Sequence, residues 1–398
     1  MEIKTLSELS VDGRGYYGIG ASAVEYSEDL PTYLRITDIK DDGTLNFDGL
    51  KSVDDENASS YLLHPNDIVF ARTGASTGRN YFYDGFDGEF VYAGFLIKFS
   101  IDPGKVNPKY VKYYCLSNDY KGWIHSFNTG STRGNINAQT LGSMPIPIPS
   151  RAQQNGIVSL LESLDNKVRI NELINKNLVQ QAQTIYQSWF VDFDPFGGYA
   201  PLEWSKTTLG EIAFIKTDSW SPAKNPDVIV EHYSIPAFDE KHYPVFEVAS
   251  GIKSNKYMLT KNSLMISKLN PDTKRIWRPL CLSEHPVCST EFIVYEAKKE
   301  GQKDYIYSII DSLPFFNHLC SHTTGSTNSR QRATPKSTLD FSLVLPPDCL
   351  IEEFCNIVTP IYDMIAANTV ENQSLSGVRD SLLPKLMSGE IIVSDLSI

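Results

Sequence analysis

The segment IVSLLESLDNKVRINELINKNLVQQAQTIYQSW, at residues 157–189, decides the fold of this chain. Its apolar residues recur with alternating steps of four and three, which is the period of a long helix with one buried seam. The same seam returns 197 residues later, as FCNIVTPIYDMIAANTVENQSLSGVRDSLLPKL at 354–386. Both seams are interrupted by Asn at the same two steps, at Asn171 and Asn175 in the first helix. The matched interruptions predict an internal repeat that contains two equivalent long helices.

The two helices are expected to pair with each other as an antiparallel coiled coil. Burying one seam side chain stabilises a protein by ~1.5–3 kcal/mol, and Asn in a seam lowers stability but fixes register. The alternative is that each helix packs on its own domain. Ser150 with Gln153 predicts a capping box where the first helix begins, and Asp348 opens the second. Pro360 lies inside the second seam and predicts a kink there.

The segments before the helices repeat more loosely. TLSEL at 5–9 returns as TLGEI at 208–212, and TGST at 129–132 returns at 324–327. Short β-type runs and turn clusters predict an α+β fold for each segment. The predicted parts are a first α+β domain at 1–149, a first spacer helix at 150–194, a second α+β domain at 195–347, and a second spacer helix with the C-terminal tail at 348–398.

An antiparallel helix pair between two equivalent domains gives the chain a pseudo-twofold axis. Such a protein suits a target with two half-sites. Helices of ~35 residues extend ~50 Å, which corresponds to about 15 base pairs of DNA. The repeat therefore predicts two reading heads held apart by a rigid spacer.

Composition is that of a globular protein, with 41% hydrophobic and 21% charged residues among 398. No apolar run approaches the ~20 residues that span a bilayer. The start of the chain lacks the pattern of a signal peptide, so a cytoplasmic location is expected. The net charge of −12 argues against a simple nucleic-acid binder but leaves room for a local basic face. Six cysteines without CxxC spacing are expected to be reduced thiols.

Two short motifs resemble cofactor or catalytic sequences. Gly13, Gly15 and Gly18 match GxGxxG, but no apolar strand precedes them and no apolar helix follows, so a Gly/Tyr-rich loop is the favoured interpretation. The tripeptide DPF at 194–196 resembles the catalytic motif of amino-methyltransferases, but it lies where the first helix is expected to end.

A loose nuclease pattern runs from Pro226-Asp227 to Asp239 and Lys241, where two carboxylates and a lysine could hold Mg²⁺. The first half has no counterpart, and such spacing is common by accident. His318, Cys320 and His322 are candidate zinc ligands. No second pair of ligands lies nearby in the sequence, which argues against a zinc site.

Candidate DNA contacts lie in polar loops at matching places in both halves. Arg reads guanine with two hydrogen bonds, Asn or Gln reads adenine, and hydroxyl groups and Lys hold phosphate. The alternative is a solvated polar turn. The candidates are Arg72, Thr73, Ser76, Thr77, Arg79, Thr129, Ser131, Arg133, Asn135 and Asn137 in the first half, and Lys268, Asn270, Lys274, Arg275, Arg278, Thr324, Ser326, Arg330, Gln331 and Arg332 in the second; Tyr16, Tyr17, Ser219 and Trp220 are interpreted as packing residues.

The chain resembles the specificity (S) subunits of Type I restriction–modification enzymes. The resemblance is carried by SWFVDFDPF at 188–196, RDSLLPKLMSGEI at 379–391, LRITDI at 34–39 and the paired TGST loops, and it covers the whole chain. It implies two target-recognition domains that each read half of a split DNA sequence, separated by antiparallel helices. It also implies a non-catalytic subunit that binds double-stranded DNA, two methyltransferase (M) subunits and restriction (R) subunits.

The resemblance places the chemistry on the partner subunits. No cofactor is expected on this chain, while S-adenosylmethionine, ATP and Mg are expected on the partners. The helix tags imply docking to the M subunit, or packing at the helix ends, through Trp189, Phe190, Leu383 and Leu386. Two other interpretations remain: an adaptor whose two heads bind proteins, and a nuclease that uses Asp227, Asp239 and Lys241.

Overall fold

The computed structural model describes residues 2–47, 49–127, 135–324 and 331–393. The chain forms two compact units. Unit 1 comprises Met1–Val168 with Ser374–Ile398, and unit 2 comprises Arg169–Gln373. Each unit therefore combines one α+β segment with part of each long helix. The four segments proposed along the sequence stay a prediction.

The described strands of unit 1 form one two-stranded ribbon and two four-stranded sheets. The ribbon is β1–β10, and the sheets have the orders β2-β9-β6-β7 and β3-β5-β4-β8. Pairing is antiparallel except between β4 and β8. The strands are β1 (Glu2–Thr5), β2 (Tyr16–Tyr17), β3 (Ala23–Val24), β4 (Thr32–Leu34), β5 (Lys51–Val53), β6 (Asp67–Ala71), β7 (Asn80–Tyr83), β8 (Phe90–Tyr92), β9 (Leu96–Ser100) and β10 (Pro145–Ile148).

Among its described residues, unit 2 repeats the ribbon and the first sheet, while its second sheet has five strands in a different order. The ribbon is β11–β23, and the sheets have the orders β12-β20-β17-β18 and β13-β16-β19-β14-β15. A parallel pair, β14 with β19, again stands out in the second sheet. The remaining two strands, β21 and β22, form a short hairpin. The strands are β11 (Ser205–Thr208), β12 (Ala213–Lys216), β13 (Ser219–Trp220), β14 (Ile229–Tyr233), β15 (Val245–Val248), β16 (Lys256–Met258), β17 (Leu264–Ser267), β18 (Ile276–Trp277), β19 (Pro286–Ser289), β20 (Phe292–Ala297), β21 (Thr323–Thr324), β22 (Arg332–Ala333) and β23 (Ser342–Leu345).

The helices also recur in the same order in both halves, except that α7 has no helical counterpart among the described residues of the first half. Short helices follow the first strand of each half and lead into the last one, and two successive helices follow β9 and β20. Each half then ends in a helix of about 40 residues. The helices are α1 (Leu6–Leu9), α2 (Pro108–Tyr114), α3 (Asn118–Ser126), α4 (Ala138–Gly142), α5 (Arg151–Phe190), α6 (Leu209–Ile212), α7 (Ile235–Lys241), α8 (Lys303–Asp311), α9 (Leu313–Ser321), α10 (Pro335–Thr338) and α11 (Asp348–Ser388).

The start of α5 confirms the predicted capping box. The Ser150 backbone N–H donates to the Gln153 side chain at 3.2 Å, and the Gln153 N–H donates to the Ser150 hydroxyl at 3.3 Å. These two bonds satisfy backbone groups that a helix start leaves unpaired. The helix ends at Phe190, four residues earlier than predicted. The chain turns at Phe193, whose φ is +57°, and the Phe193 ring packs 5.8 Å from that of Trp204.

Segments of α5 and α11 run antiparallel in each unit. In unit 2, Asn171 contacts Asn372 and Asn175 contacts Asn368, so residue numbers rise along one helix as they fall along the other. In unit 1, Asp165 of α5 pairs with Arg379 of α11 at 3.0 Å. Every predicted seam position is buried or half-buried. The expectation that the helices pair with each other is confirmed.

The cores of both units combine sheet and helix side chains. In unit 1, Leu161 of α5 and Leu386 of α11 join the cluster of Phe99 and Tyr110. In unit 2, Phe354 of α11 joins a cluster that is rich in aromatic rings. The helices are thus part of each unit's core and are held by it.

The residues Phe90–Phe99 are one β-type run in the sequence but form two strands in the structure, because β8 pairs with β4 and β9 pairs with β6 in different sheets. Pro360 lies inside α11, which stays continuous around it. The carbonyl that loses its intrahelical partner belongs to Asn356, which is exposed to solvent. The kink at this position stays a prediction. All six cysteines are free thiols.

Candidate nucleic-acid interface

In unit 1, three chain segments meet at Arg72, the residue after β6. The Arg72 backbone N–H donates to Phe95 O at 3.0 Å, and the Ile136 N–H donates to Arg72 O at 2.9 Å. Thr73 forms a β-bridge with Asn135. The two polar loops predicted from the sequence are therefore brought together by backbone hydrogen bonds. We call this meeting point junction 1.

Unit 2 builds the same meeting point, junction 2, at Lys268, the residue after β17. The Lys268 N–H donates to Glu291 O at 2.9 Å, and the Ala333 N–H donates to Lys268 O at 2.9 Å. Leu269 forms a β-bridge with Arg332. Lys268 lies 196 residues after Arg72, and Glu291 lies 196 residues after Phe95. The internal repeat therefore includes the backbone hydrogen bonds that position the loops.

Five of the candidate residues lie outside the described residues. The described residues resume at Asn135 in unit 1 and at Gln331 in unit 2. Asn135 and Gln331 both lie next to the junctions. The five residues are Thr129, Ser131, Arg133, Ser326 and Arg330.

The side chain of Arg72 is held by an aromatic ring. Its guanidinium carbon lies 4.8 Å from the centroid of the Tyr17 ring. The Tyr17 hydroxyl accepts a hydrogen bond from Ala138 N at 3.2 Å, which fixes the ring against the second loop. Arg72 Nε is buried and has no hydrogen-bond partner among the described residues. Because buried donors are nearly always satisfied, the Arg72 Nε–H is a donor whose partner is missing among the described residues.

Three other candidate arginines are engaged with carboxylates. Arg79 Nε donates to Asp41 Oδ1 at 2.6 Å. Arg275 binds Asp239 through two hydrogen bonds, of 2.6 and 3.0 Å. Arg332 binds Glu291 in the same forked manner, at 3.0 and 3.1 Å, and this hydrogen bonding raises the pKa of the Arg332 guanidinium. Their charges are largely neutralised within the protein.

Two further candidate cations hold unit 2 together. Arg278 donates to Asp304 at 2.7 Å and to Asp363 of α11 at 2.9 Å. Burial lowers the pKa of Arg278, but the two carboxylates outweigh this effect and raise it overall. Lys274 forms an ion pair with Asp311 at the end of α8. These contacts give both cations a structural role.

The remaining candidates are polar groups within the loops. The Asn137 side chain caps α4 by accepting from Thr140 N at 2.8 Å. The Thr77 hydroxyl donates to Gly74 O at 2.8 Å. Asn270 adopts a left-handed backbone, with φ +46°, and its N–H donates to Gln331 O. The Thr324 hydroxyl donates to Arg332 O, while Ser76 is half-buried.

A family model described as the Type I restriction modification DNA specificity domain matches residues 33–180. A specificity subunit of the Type I enzyme MjaIX from Methanocaldococcus jannaschii is 23% identical, over 72% of this chain and 70% of the relative. The HindI specificity subunit from Haemophilus influenzae is 22% identical, over 82% and 86%. The solved S subunit from M. genitalium aligns over 97% of this chain and 95% of its own, with a TM-score of 0.54 and 16% identity, which supports the shared fold.

These matches make the chain similar to Type I restriction enzyme specificity subunits over most of its length. The fold of such subunits is consistent with the repeated α+β units and the long antiparallel helices described above. No helix in the described part of the chain is long and apolar enough to span a membrane.

The helix tags that carried the resemblance to this family lie in the cores of the two units. Phe190 is 8% exposed, and its ring lies 5.1 Å from that of Phe354. Leu383 and Leu386 are buried against the sheet of unit 1. Trp189 is half-buried. Burial favours the helix-end packing interpretation for these residues, and docking to a partner through them stays a prediction.

Structural roles also account for residues of the cofactor-like patterns. A Cβ on Gly18 would lie 2.2 Å from Tyr92 O, so glycine is needed there for close strand packing. Asp239, part of the nuclease pattern, is the partner of Arg275. His318 Nε2 lies 2.9 Å from Ser337 O. Among the described residues, no group of three or more His, Cys, Asp or Glu side chains could hold a metal ion.

Sequence reasoning missed two residues at the junctions. Phe95 is 60% exposed beside Arg72, and its counterpart Glu291 holds Arg332. Tyr17, interpreted as a packing residue, supports the Arg72 side chain. The signal that could have found the first pair is the 196-residue offset, which aligns Phe95 with Glu291 and Arg72 with Lys268.

Proposed function

We propose that this chain is the non-catalytic DNA sequence-specificity subunit of a Type I restriction–modification complex, with each unit reading one half of a bipartite double-stranded target. The observation that carries the proposal is the duplication of the loop junction. Arg72 and Lys268 each donate one backbone hydrogen bond and accept another, and their partners are equivalent in the two units. Two equivalent polar sites in one chain match a target with two half-sites.

The long helices are proposed to set the distance between the half-sites. Asn171 and Asn175 bond to α11 and fix its register, and a fixed register gives a fixed spacer length. The helices are also proposed to dock two methyltransferase subunits, with restriction subunits joining for cleavage. S-adenosylmethionine, ATP and Mg would be bound by those partners, and the complex would act in the cytoplasm.

Methylation-site sequencing of DNA treated with the assembled methyltransferase complex tests the proposal. Two short motifs separated by a gap of constant length and variable sequence are expected. One contiguous motif would refute the bipartite reading. An unmethylated genome with the intact complex present would refute the specificity role itself.

The competing adaptor function makes a different prediction for salt. Neutralising DNA phosphates releases counterions, so the affinity of the complex for its target should fall steeply as salt rises. Substituting cations of the two junctions should reduce that slope. Heads that bind only proteins would leave the slope unchanged after these substitutions.

A further inference from the structure

The candidate cations of the two units fall into two classes. Seven of them belong to the described residues, and five of the seven form ion pairs with carboxylates of their own unit. The two others form no ion pair or hydrogen bond through their side chains with any described residue, and both stand at the centre of a junction. The paired cations are Arg79, Lys274, Arg275, Arg278 and Arg332, and the unpaired ones are Arg72 and Lys268.

We infer that Arg72 and Lys268 are the twin DNA-contacting cations, one for each half-site, and that Arg72 reads a base edge. The inference rests on the proposed function and narrows its site to one repeated position. The two residues follow equivalent strands, and each donates one backbone hydrogen bond and accepts another at the same places in the repeat. Sharing both a position and an unpaired charge would be a coincidence if the position had no common role.

The ion-paired cations are poorly suited to the same task. A phosphate that approaches Arg275 meets the Asp239 carboxylate at the same place, and the two negative groups repel each other. Releasing Arg275 would leave that carboxylate without its two hydrogen bonds. Arg278 is more tightly held, because it joins Asp304 to Asp363 of α11. These side chains stabilise the units instead.

Geometry favours base reading by Arg72. The Tyr17 ring lies 4.8 Å from the guanidinium carbon, and such packing restricts the rotation of the side chain. A guanidinium held in one plane can donate two parallel hydrogen bonds to guanine O6 and N7. Among the described residues, no carboxylate or carbonyl accepts a hydrogen bond from its Nε, so none competes with a base for this side chain. Lys268 has a compact, flexible ammonium, which binds phosphate or a single acceptor.

The experiment measures the affinity of the specificity subunit, assembled with its methyltransferase subunits, for DNA that contains the methylated target. The variants are Arg72→Gln, Arg72→Lys and Lys268→Gln. Charge-matched controls are Lys51→Gln in unit 1 and Lys299→Gln in unit 2, which remove exposed ion pairs with Glu25 and Asp348. Thermal melting of each variant checks that it is folded.

Arg72→Gln should weaken binding by about 5- to 150-fold, the range for the loss of one bidentate base contact. Arg72→Lys should keep the salt dependence but relax the preference for one base in one half-site. Lys268→Gln should weaken binding through the other half-site and reduce the salt slope by about one. Both controls should bind as the wild type does.

Failure of the inference can be distinguished from failure of the proposed function. If the wild-type complex recognises a bipartite target but Arg72→Gln and Lys268→Gln bind as the controls do, the inference is overturned and the function survives. A larger loss for folded Arg79→Gln or Arg275→Gln would overturn it as well. If Arg72→Gln fails to fold, Arg72→Lys decides, since unchanged base preference contradicts base reading. A wild-type complex without any target would overturn the function.

Discussion

Replacing Asn171 by alanine should loosen the pairing of α5 with α11 in unit 2. Asn171 is 1% exposed, and its side-chain amide donates to Glu371 Oε2 at 2.7 Å and to Asn372 Oδ1 at 2.8 Å. These bonds satisfy a polar group that the seam otherwise buries among apolar side chains. Alanine removes both bonds and leaves the Asn372 oxygen without its donor.

The expected loss follows from the two bonds. A neutral hydrogen bond contributes about 1 kcal/mol, and a bond to a charged group about 1.5–3 kcal/mol. Glu371 is exposed, so its bond belongs at the lower end of that range. The sum is about 2.5 kcal/mol. Alanine also favours the helix over asparagine by about 0.5 kcal/mol, which leaves a net destabilisation of about 2 kcal/mol.

Urea unfolding followed by tryptophan fluorescence measures this loss in unit 2. Four of the five tryptophans lie in unit 2, so a Trp123→Phe background restricts the signal to that unit. The control is Asn177→Ala, which changes the same residue type at an exposed position of the same helix. Asn177 accepts an exposed hydrogen bond from Gln181 within the helix, and losing it offsets the gain in helix propensity. The two variants should therefore differ by about 2 kcal/mol.

A second variant separates the hydrogen bonds from packing. In Asn171→Leu with Asn372→Leu both partners become apolar, and stability should return to that of the wild type or above, because a buried polar pair is replaced by packing side chains. A difference below 0.5 kcal/mol between Asn171→Ala and Asn177→Ala would refute the reasoning, since the buried amide would then contribute nothing.

Three further predictions concern a close strand contact in unit 1, a lysine in unit 2 and the length of the two long helices. Gly18→Ala places a Cβ 2.2 Å from Tyr92 O, so it should destabilise unit 1 by about 1–3 kcal/mol in urea, and an unchanged midpoint would contradict the close packing. Burial lowers the pKa of Lys303 from 10.5 to about 8. Below pH 8 the lysine is charged in both the folded and the unfolded state, and burying that charge lowers the stability of the protein. As the pH rises toward 10.5 the penalty disappears, so the wild type should gain stability relative to Lys303→Met over that interval. Parallel curves of stability against pH for the two proteins would contradict this. Inserting one heptad into each long helix should lengthen the gap in the methylated target and keep both half-site motifs, whereas altered motifs would contradict a spacer role.

Local signals in the sequence predicted the long helices well. The capping box at Ser150 defines the beginning of α5 by its own chemistry. The matched Asn interruptions predicted that asparagines would fix the register, and Asn171 and Asn175 do bond to Asn372 and Asn368. The early end of α5 was missed because the turn at Phe193 depends on packing against Trp204, which a local pattern does not contain. The split of the run at 90–99 depends on which sheet each strand joins.

The candidate interface was predicted only in part. Position in the repeat identified the loops that meet at Arg72 and Lys268. Composition could not separate these two residues from their ion-paired neighbours, because the carboxylates come from distant segments. Asp41 pairs with Arg79 across 38 residues, and Glu291 pairs with Arg332 across 41. Such pairs exist only in the folded chain.

The most direct test of the account exchanges residues 1–149 for the matching segment of a specificity subunit that directs a different methylation target. Methylation-site sequencing of the resulting complex should reveal a new motif in one half of the target, with the other half and the gap unchanged. A change in both halves, or in neither, would contradict the claim that each unit reads its own half.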